Sequence, residues 1–194
     1  MAECLEIGRG AEAVVIREGL LVRKRRLAKS YRVAALDLVI RQERTMMESR
    51  IMAEARRVGV PTPIIRDVDA FDLQMEFIDG IRLKLVVSAP LSDMVGELVG
   101  RLHRAGIVHG DLTTSNIMLR DGRLFFIDFG LAYHDPGLEA QGVDVHVYFQ
   151  TLYSTHDQAA ELVEAFKDGY RRSYENADEV LARVEEIKSR GRYL

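Results

Sequence analysis

The chain has 194 residues, of which 47% are apolar and 29% are charged, as in a folded globular protein with one sizeable core or two small lobes. Its apolar stretches are shorter than the run of about twenty residues that crosses a membrane, and its acidic start does not resemble a signal peptide, so we expect a cytoplasmic protein without membrane contact. The single cysteine, Cys4, excludes an internal disulfide. The net charge of −3 hides basic clusters at residues 23–32 and 188–192, which either form solvated faces or contact RNA.

A glycine-rich segment lies near the start of the chain, between two short apolar stretches. It follows the phosphate-loop pattern G-x-G-x-x-G-x-V except that Ala13 replaces the third glycine. Taken alone, the segment is better explained as an ordinary hairpin turn, but the motifs further along the chain favour a loop over nucleotide phosphates. The residues predicted to contact the nucleotide here are Gly8, Gly10, Ala11, Glu12, Ala13 and Val15.

The next segment, residues 20–25, alternates between two faces as a strand does. Val22 and Lys24 share one face, whereas Arg23 and Arg25 lie on the other. Val22 takes the position of the small apolar residue that packs on adenine in the V-A-I-K strand of kinases. We therefore predict that Lys24 holds the phosphates and that the arginines turn away from the nucleotide.

An amphipathic helix is predicted over residues 36–58, with an apolar stripe that includes Met47. Glu48 lies at the margin of this stripe, where a partly buried acid is costly unless it is paired. In a kinase-like lobe its partner is Lys24, whereas the local alternative is Arg44, one turn earlier on the helix. We favour the pair of Lys24 and Glu48.

Two further strands are predicted over residues 64–68 and 71–77, closing a small antiparallel sheet. Near its end, Met75 is predicted to guard a nucleotide pocket. Backbone groups of Glu76 and Ile78 are predicted to bond the edge of adenine, as in the hinge of kinases.

The pattern H-x-D-x-x-x-x-N contains His109, Asp111 and Asn116, and a short apolar strand then leads to Asp128 in a D-F-G sequence. ATP carries about four negative charges, and its metal ions, Mg²⁺ or Mn²⁺, prefer oxygen ligands. We predict that Asp128 binds the metal ion bridging the phosphates, that Asn116 binds a second, and that Asp111 orients the acceptor hydroxyl and takes its proton. We expect His109 to pack beneath this loop as a structural residue.

The remaining segments predict helices over residues 92–105, capped by Ser92, and over residues 155–174 and 177–189. Asp144 begins another helical segment and resembles the buried aspartate that holds a kinase catalytic loop from below. The chain therefore has no room for the peptide-docking platform of an ordinary protein kinase.

We predict an α+β, minimal bilobal, protein-kinase-like fold. Its N-terminal lobe, residues 1–79, has an antiparallel sheet with one long helix, and its reduced, mostly helical C-terminal lobe covers residues 80–194. Gly110 stands where many regulated kinases carry the arginine that pairs with an activation-loop phosphate, so that switch lacks its cation.

Several motifs together resemble the kinase subunit of the KEOPS complex, an atypical RIO-like serine/threonine kinase family. They are the loop H-G-D-L-T-T-S-N at residues 109–116, the D-F-G at 128–130, the segment K-S-Y-R at 29–32 and the helix of Glu48. The resemblance covers nearly the whole chain and points to an archaeal form. It implies an ATP-binding protein that autophosphorylates on serine or threonine and acts mainly as an Mg²⁺-dependent ATPase supporting tRNA threonylcarbamoyl-adenosine formation.

The resemblance also implies partners. The principal one is the threonylcarbamoyltransferase subunit, and a small companion subunit binds the N-terminal lobe. The basic tail at residues 190–194 is implied to approach tRNA or the kinase's own site. The chain departs from the family pattern at Val33 and Ala34, where the family often has His-Pro, and in its short tail.

Two alternative functions are also compatible with the sequence. A small-molecule phosphotransferase of the aminoglycoside or choline kinase type also uses H-G-D-x-x-x-x-N, although its acceptor pocket needs a larger helical lobe. A scaffold that binds nucleotide without turnover is the other, although all the predicted catalytic residues are present. These are Lys24, Asp111, Asn116 and Asp128.

Overall fold

A computed structural model of the protein describes residues 4–190. The first part of the chain consists of β1 (Cys4–Arg9), β2 (Ala13–Glu18), β3 (Leu21–Arg26), α1 (Ala34–Arg57), β4 (Ile65–Val68) and β5 (Asp72–Glu76). The five strands form one antiparallel sheet in the order β1-β2-β3-β5-β4. β3 lies at its centre, where alternate side chains beginning with Val22 are buried and those between them are half-exposed or exposed.

Helix α1 packs on the rest of the protein through Ile51, Met52 and Ala55, each fully buried. Glu48 lies on this same face and is also buried. The prediction that Met47 belongs to the buried stripe is wrong, because the packing face is centred one helical step further on and leaves Met47 exposed. Apolar residues on both sides of this helix made its phase ambiguous in the sequence.

The second part of the chain is mostly helical. Its strands are β6 (Ile81–Arg82), β7 (Ile107–Val108), β8 (Ile117–Arg120), β9 (Arg123–Phe126) and β10 (Tyr133–His134). Its helices are a short 3₁₀ helix (Leu83–Leu85), α2 (Ala89–Arg104), α3 (Leu138–Thr155), α4 (Ala159–Ser173) and α5 (Ala177–Arg190). The predicted helices are present with shifted ends, and Asp144 lies inside α3 instead of beginning it. The α+β class predicted from the sequence is confirmed.

The predicted cap of α2, Ser92, is wrong. The helix begins three residues earlier, because Pro90 fits the first turn, where a backbone N–H has no partner within the helix. Ser92 is fully buried, and its hydroxyl donates a hydrogen bond to the carbonyl of Leu162 on α4 at 2.7 Å. A Cβ at Gly96 would lie 2.0 Å from the carbonyl oxygen of Phe166, so the two helices pack with their backbones in contact.

One continuous apolar core joins the sheet, α1 and the later helices. The backbone N–H of Phe126 donates to the carbonyl of Pro61 at 2.9 Å, and Arg120 pairs with Glu76 at the same distance. These contacts hold the β8–β9 hairpin against β5 and the segment between α1 and β4. The predicted lobe boundary between residues 79 and 80 falls between β5 and β6 and stays a prediction. Over residues 4–190, no helix has the length and apolar character needed to span a membrane.

Candidate active site

Lys24 lies at the centre of a group of charged side chains and bonds two carboxylates. Its Nζ donates to Oε1 of Glu48 and to Oδ1 of Asp128, each at 2.7 Å. Burial opposes the charge, but the two carboxylates raise the pKa of Lys24 above its ordinary value. Arg44, the alternative partner of Glu48, pairs instead with Glu12 at 3.2 Å. The predicted pair of Lys24 and Glu48 is therefore present.

A second cation, Arg26, also reaches Glu48. Its Nη2 donates to Oε2 of Glu48 at 2.5 Å, and the residue is only 4% exposed. This contact was not predicted from the sequence, because the strand was predicted to end at residue 25. The signal was present in the alternation, since position 26 lies on the same face of β3 as Val22 and Lys24.

Asp111 and Asn116 are joined directly. The side-chain amide of Asn116 donates to Oδ2 of Asp111 at 2.8 Å and to its backbone carbonyl at 3.0 Å. Asp121 and Gly122, both at positive φ, turn the chain between β8 and β9. The resulting hairpin lets the N–H of Ile127 donate to the carbonyl of Asn116 at 3.0 Å. It thereby brings the catalytic-loop pattern beside the D-F-G sequence.

Asp128 has one oxygen in use. Its Oδ1 accepts from Lys24 and from the backbone N–H of Gly130 at 2.9 Å, whereas Oδ2 has no hydrogen-bond partner in the described part of the chain. Burial acts to raise the pKa of Asp128, but the neighbouring ammonium of Lys24 and the Gly130 N–H together bring it below its usual value. The carboxylate is therefore ionised at neutral pH.

The donor set fits a hard metal ion. Among residues 4–190, Oδ1 of Asn116 and Oδ2 of Asp128 make no hydrogen bond, which leaves one amide oxygen and one carboxylate oxygen available. Oxygen ligands of this kind suit Mg²⁺ or Mn²⁺. No cluster of three His, Cys, Asp or Glu residues able to hold a metal occurs within the described range. A metal ion held here would complete its coordination with water and with the phosphates of a ligand.

Asp144 supports the catalytic loop from below, as predicted. Its carboxylate accepts hydrogen bonds from the backbone N–H groups of His109 at 2.7 Å and Gly110 at 2.9 Å, and lies 3.3 Å from Nε2 of His103. Burial raises the pKa of Asp144, but the hydrogen bonds from His103 and from the backbone N–H of His109 outweigh it and hold the pKa below its usual range. Gly110 has φ +77, and a Cβ there would lie 2.2 Å from the carbonyl oxygen of Leu131. An arginine is therefore excluded at this position by space.

His109 is fully buried and packs on aromatic rings. Its ring centroid lies 4.7 Å from that of Phe129 and 5.9 Å from that of Phe126. Neither ring nitrogen has a hydrogen-bond partner within the described residues. Burial lowers the pKa of His109, so the ring is neutral at physiological pH. The predicted structural role agrees with this environment.

The glycine-rich segment forms the turn between β1 and β2. The N–H of Gly10 donates to the carbonyl of Ala13 at 2.9 Å, and the ammonium of Lys29 bonds the carbonyl of Ala11. Glu12, at the tip, pairs with Arg44. In the sheet, Gly8 lies opposite Val15, and Val15 lies opposite Lys24. The segment therefore forms a hairpin turn, which Arg44 of α1 and Lys29, just before α1, hold in place through charged side chains.

The predicted adenine pocket lies beyond Lys24 along the sheet. Val22 faces Met75 across β3 and β5, and both are buried, as is Ile78. The backbone N–H and carbonyl of Ile78 have no hydrogen-bond partner among residues 4–190. The N–H of Glu76 donates to the carbonyl of Ile64 at 2.8 Å. The predicted adenine contact can therefore use both backbone groups of Ile78, but at Glu76 it can use only the carbonyl.

Comparisons with known proteins match the chain to one protein family. The RIO domain family matches residues 22–139. The chain is 46% identical to the "Probable serine/threonine-protein kinase BUD32 homolog" of Archaeoglobus fulgidus, over 95% of this chain and 94% of that protein. It is 43% identical to the "KEOPS complex subunit Bud32" of Pyrococcus abyssi, over 88% of this chain and 83% of that protein.

A longer relative is the "Probable bifunctional tRNA threonylcarbamoyladenosine biosynthesis protein" of Methanosarcina barkeri, 58% identical over 95% of this chain. The chain spans only 35% of that protein's length. Among solved structures, the Rio2 kinase from Chaetomium thermophilum superposes with a TM-score of 0.63 at 15% identity, covering 95% of this chain and 71% of that one. This likeness shows a kinase-like fold. Taken with the site geometry, these matches mean that the chain belongs to the RIO-domain family, as a member of its Bud32 branch of RIO-like atypical kinases.

Proposed function

We propose that the chain is an ATP-dependent phosphotransferase that acts as a Mg²⁺-dependent ATPase and atypical, autophosphorylating serine/threonine kinase. The observation that carries the proposal is the bridge of Lys24 to Glu48 and Asp128, beside the joined pair of Asp111 and Asn116. We further propose that it works in the KEOPS complex and supports tRNA threonylcarbamoyladenosine synthesis. The names of the Pyrococcus and Methanosarcina relatives support this role.

Several described residues would hold Mg-ATP, which when bound supplies the transferable phosphoryl group. The ammonium of Lys24 has three hydrogens, of which two bond carboxylates, so one is left for a phosphate oxygen. Asn116 and Asp128 would bind the metal through their available oxygens. Val22 and Met75 offer an apolar wall, and the backbone of Ile78 offers the polar groups that adenine needs.

Asp111 is placed to act on the acceptor. The amide of Asn116 holds Oδ2 of Asp111, whereas Oδ1 has no partner within the described range. This arrangement fixes the carboxylate and leaves one oxygen to accept the proton of a hydroxyl or of a water molecule. The same residue would thus serve protein phosphorylation and ATP hydrolysis, and the group that docks beside it selects the outcome.

The proposed partners are the threonylcarbamoyltransferase subunit and a small companion subunit. The outer face of α1 exposes Leu36, Val39 and Met46, and Tyr31 and Val33 just before the helix are about three-quarters exposed. An apolar surface of this kind on the first lobe fits a companion subunit. A role in tRNA contact is proposed for the basic tail, whose residues 191–194 lie outside the described residues.

Replacing Asp128 with alanine tests the enzymatic proposal. The variant loses the free carboxylate oxygen and one of the two carboxylate partners of Lys24, so phosphate release and autophosphorylation should fall by at least about a hundredfold. Asp93→Ala is the matched control, because Asp93 forms a surface ion pair with Arg172 away from the site. Unchanged turnover in the Asp128 variant would refute the assignment.

A second measurement separates the two activities. ATP hydrolysis is measured for the chain alone, with the transferase subunit, and with both the subunit and tRNA. Stimulation confined to the assembly favours the ATPase role over a free kinase. Phosphorylation of aminoglycosides or choline by the chain alone would instead support a small-molecule phosphotransferase.

A further inference from the structure

Arg26 is a buried cation at the end of β3 that has no place in the nucleotide chemistry described above. We propose that Arg26 is a positioning residue that holds Glu48 on Lys24 and so keeps the phosphate-binding lysine aligned. The inference rests on the proposed nucleotide-binding function. In this proposal the position of Lys24 is set by residues of the sheet itself, and it does not depend on phosphorylation of the segment after Gly130.

The geometry gives each oxygen of Glu48 its own cation. Oε1 accepts from Lys24 at 2.7 Å, and Oε2 accepts from Nη2 of Arg26 at 2.5 Å. The two cations project from alternate positions of one strand, and the backbone N–H of Arg26 is itself bonded to the carbonyl of Phe71 at 2.9 Å. A carboxylate gripped at both oxygens by one strand can neither rotate nor withdraw without breaking two buried ion pairs.

The charges of this group also balance. Lys24 and Arg26 are the two cations, and Glu48 and Asp128 are the two anions. An ion held away from water is costly unless a partner neutralises it. A metal ion bound by Asp128 would weaken the attraction between Asp128 and Lys24. Glu48 would then be the main partner of Lys24, and Arg26 would hold Glu48 in position.

The ion pairs on Glu48 act together with the apolar packing of α1 through Ile51, Met52 and Ala55. Gly110 carries no side chain that could pair with a phosphate on the following segment. Within residues 4–190, the ion pair between the segment after Gly130 and α1 is that of His134 and Glu54 at 2.7 Å, and exposed pairs contribute little. The two buried ion pairs therefore fix Glu48 on Lys24 without a phosphate on that segment.

The test is a double-mutant cycle on ATP turnover with Arg26→Met and Glu48→Gln. Arg26→Met should lower kcat/KM for ATP about tenfold, and Arg26→Lys should recover part of the loss. If Arg26 acts through Glu48, Arg26→Met should add less than about twofold in the Glu48→Gln background. Arg25→Met is the matched control, because Arg25 lies on the opposite face of β3 and pairs with Asp72, and it should leave turnover unchanged.

Losses that multiply in the double variant would show a general structural role and overturn the inference, as would wild-type turnover in Arg26→Met. Absence of ATP turnover in the wild-type chain, both alone and with the transferase subunit and tRNA, would refute the proposed function but not the inference. The inference would then be decided by amide hydrogen exchange of the nucleotide-free protein. Arg26→Met should speed exchange around Glu48 about tenfold relative to Arg25→Met, and equal exchange in the two variants would overturn it.

Discussion

Replacing Asp144 with asparagine should loosen the catalytic loop while leaving the shape of the side chain unchanged. The native carboxylate lies fully inside the protein and accepts from the backbone of His109 and Gly110, with His103 also in reach. Asparagine keeps one acceptor oxygen but turns an NH₂ group towards the backbone N–H of His109 or Gly110, neither of which has another partner within the described residues. Two donors would then face each other without water to separate them.

The magnitude follows from these contacts. Removing one partner of a buried, charged hydrogen-bond network costs about 3 kcal/mol. For chains of this size each kcal/mol lowers the melting temperature by roughly 2–4 °C, so the variant should melt roughly 6–12 °C lower. Because Asp111 follows the displaced backbone directly, kcat for ATP hydrolysis should fall about tenfold or more, even at temperatures where the variant is folded.

The assay is denaturant unfolding of wild type, Asp144→Asn and a surface control, with ATP turnover measured on the same samples. Glu175→Gln is the control, because Glu175 pairs with Arg104 at the surface and its loss should not be measurable. A free energy of unfolding within about 0.5 kcal/mol of wild type for Asp144→Asn would refute the role of this carboxylate.

Two further predictions concern the same loop. Gly110→Ala should destabilise the protein by more than about 2 kcal/mol in denaturant unfolding, because the new Cβ would strike the Leu131 carbonyl as well as strain the backbone. Gly122→Ala has a similar φ of +72 with open space around it and should cost only about 1 kcal/mol; equal losses would contradict the steric argument. His109→Phe should make the free energy of unfolding less dependent on pH. The pKa of His109 is lowered in the folded state, so as the pH falls below 6.5 this residue binds a proton in the unfolded chain but not in the folded chain. The stability of the wild type therefore declines in that range, whereas the phenylalanine variant has no proton to bind at this position. An unchanged slope in the phenylalanine variant between about pH 6.5 and 5 would contradict this assignment.

The sequence was sufficient to predict the parts of the site that depend on short-range pattern. The alternation of β3 placed Lys24 on the buried face, and the spacing of Asp111 and Asn116 placed both in one loop. These predictions need only the geometry of a strand and of a turn, which a few consecutive residues determine. The roles of these residues in catalysis stay predictions until turnover is measured.

Features that depend on a residue far away in the sequence were harder to predict. Ser92 has the residue type of a helix cap, but its hydroxyl is used inside the protein by a carbonyl of α4. Met47 has the polarity of a core residue, yet α1 turns a different face to the sheet. Arg26 was missed because a charged residue at a strand end is normally solvated, and only the position of Glu48 makes its burial favourable.

The carboxylates of the site divide into two kinds by how many of their oxygens are in use. Glu48 and Asp144 accept hydrogen bonds at both oxygens and are each only 2% exposed, so they hold other groups in place and are not accessible to a ligand. Within the described part of the chain, Asp111 and Asp128 each keep one oxygen without a partner. Because a reacting carboxylate must bind a metal ion or accept a proton, only the second pair can take part in the chemistry. Substitutions of Glu48 or Asp144 should therefore lower turnover by displacing the groups that they hold, and a conservative substitution should recover part of the loss. No neighbouring group in the described chain can replace the free oxygen lost from Asp128.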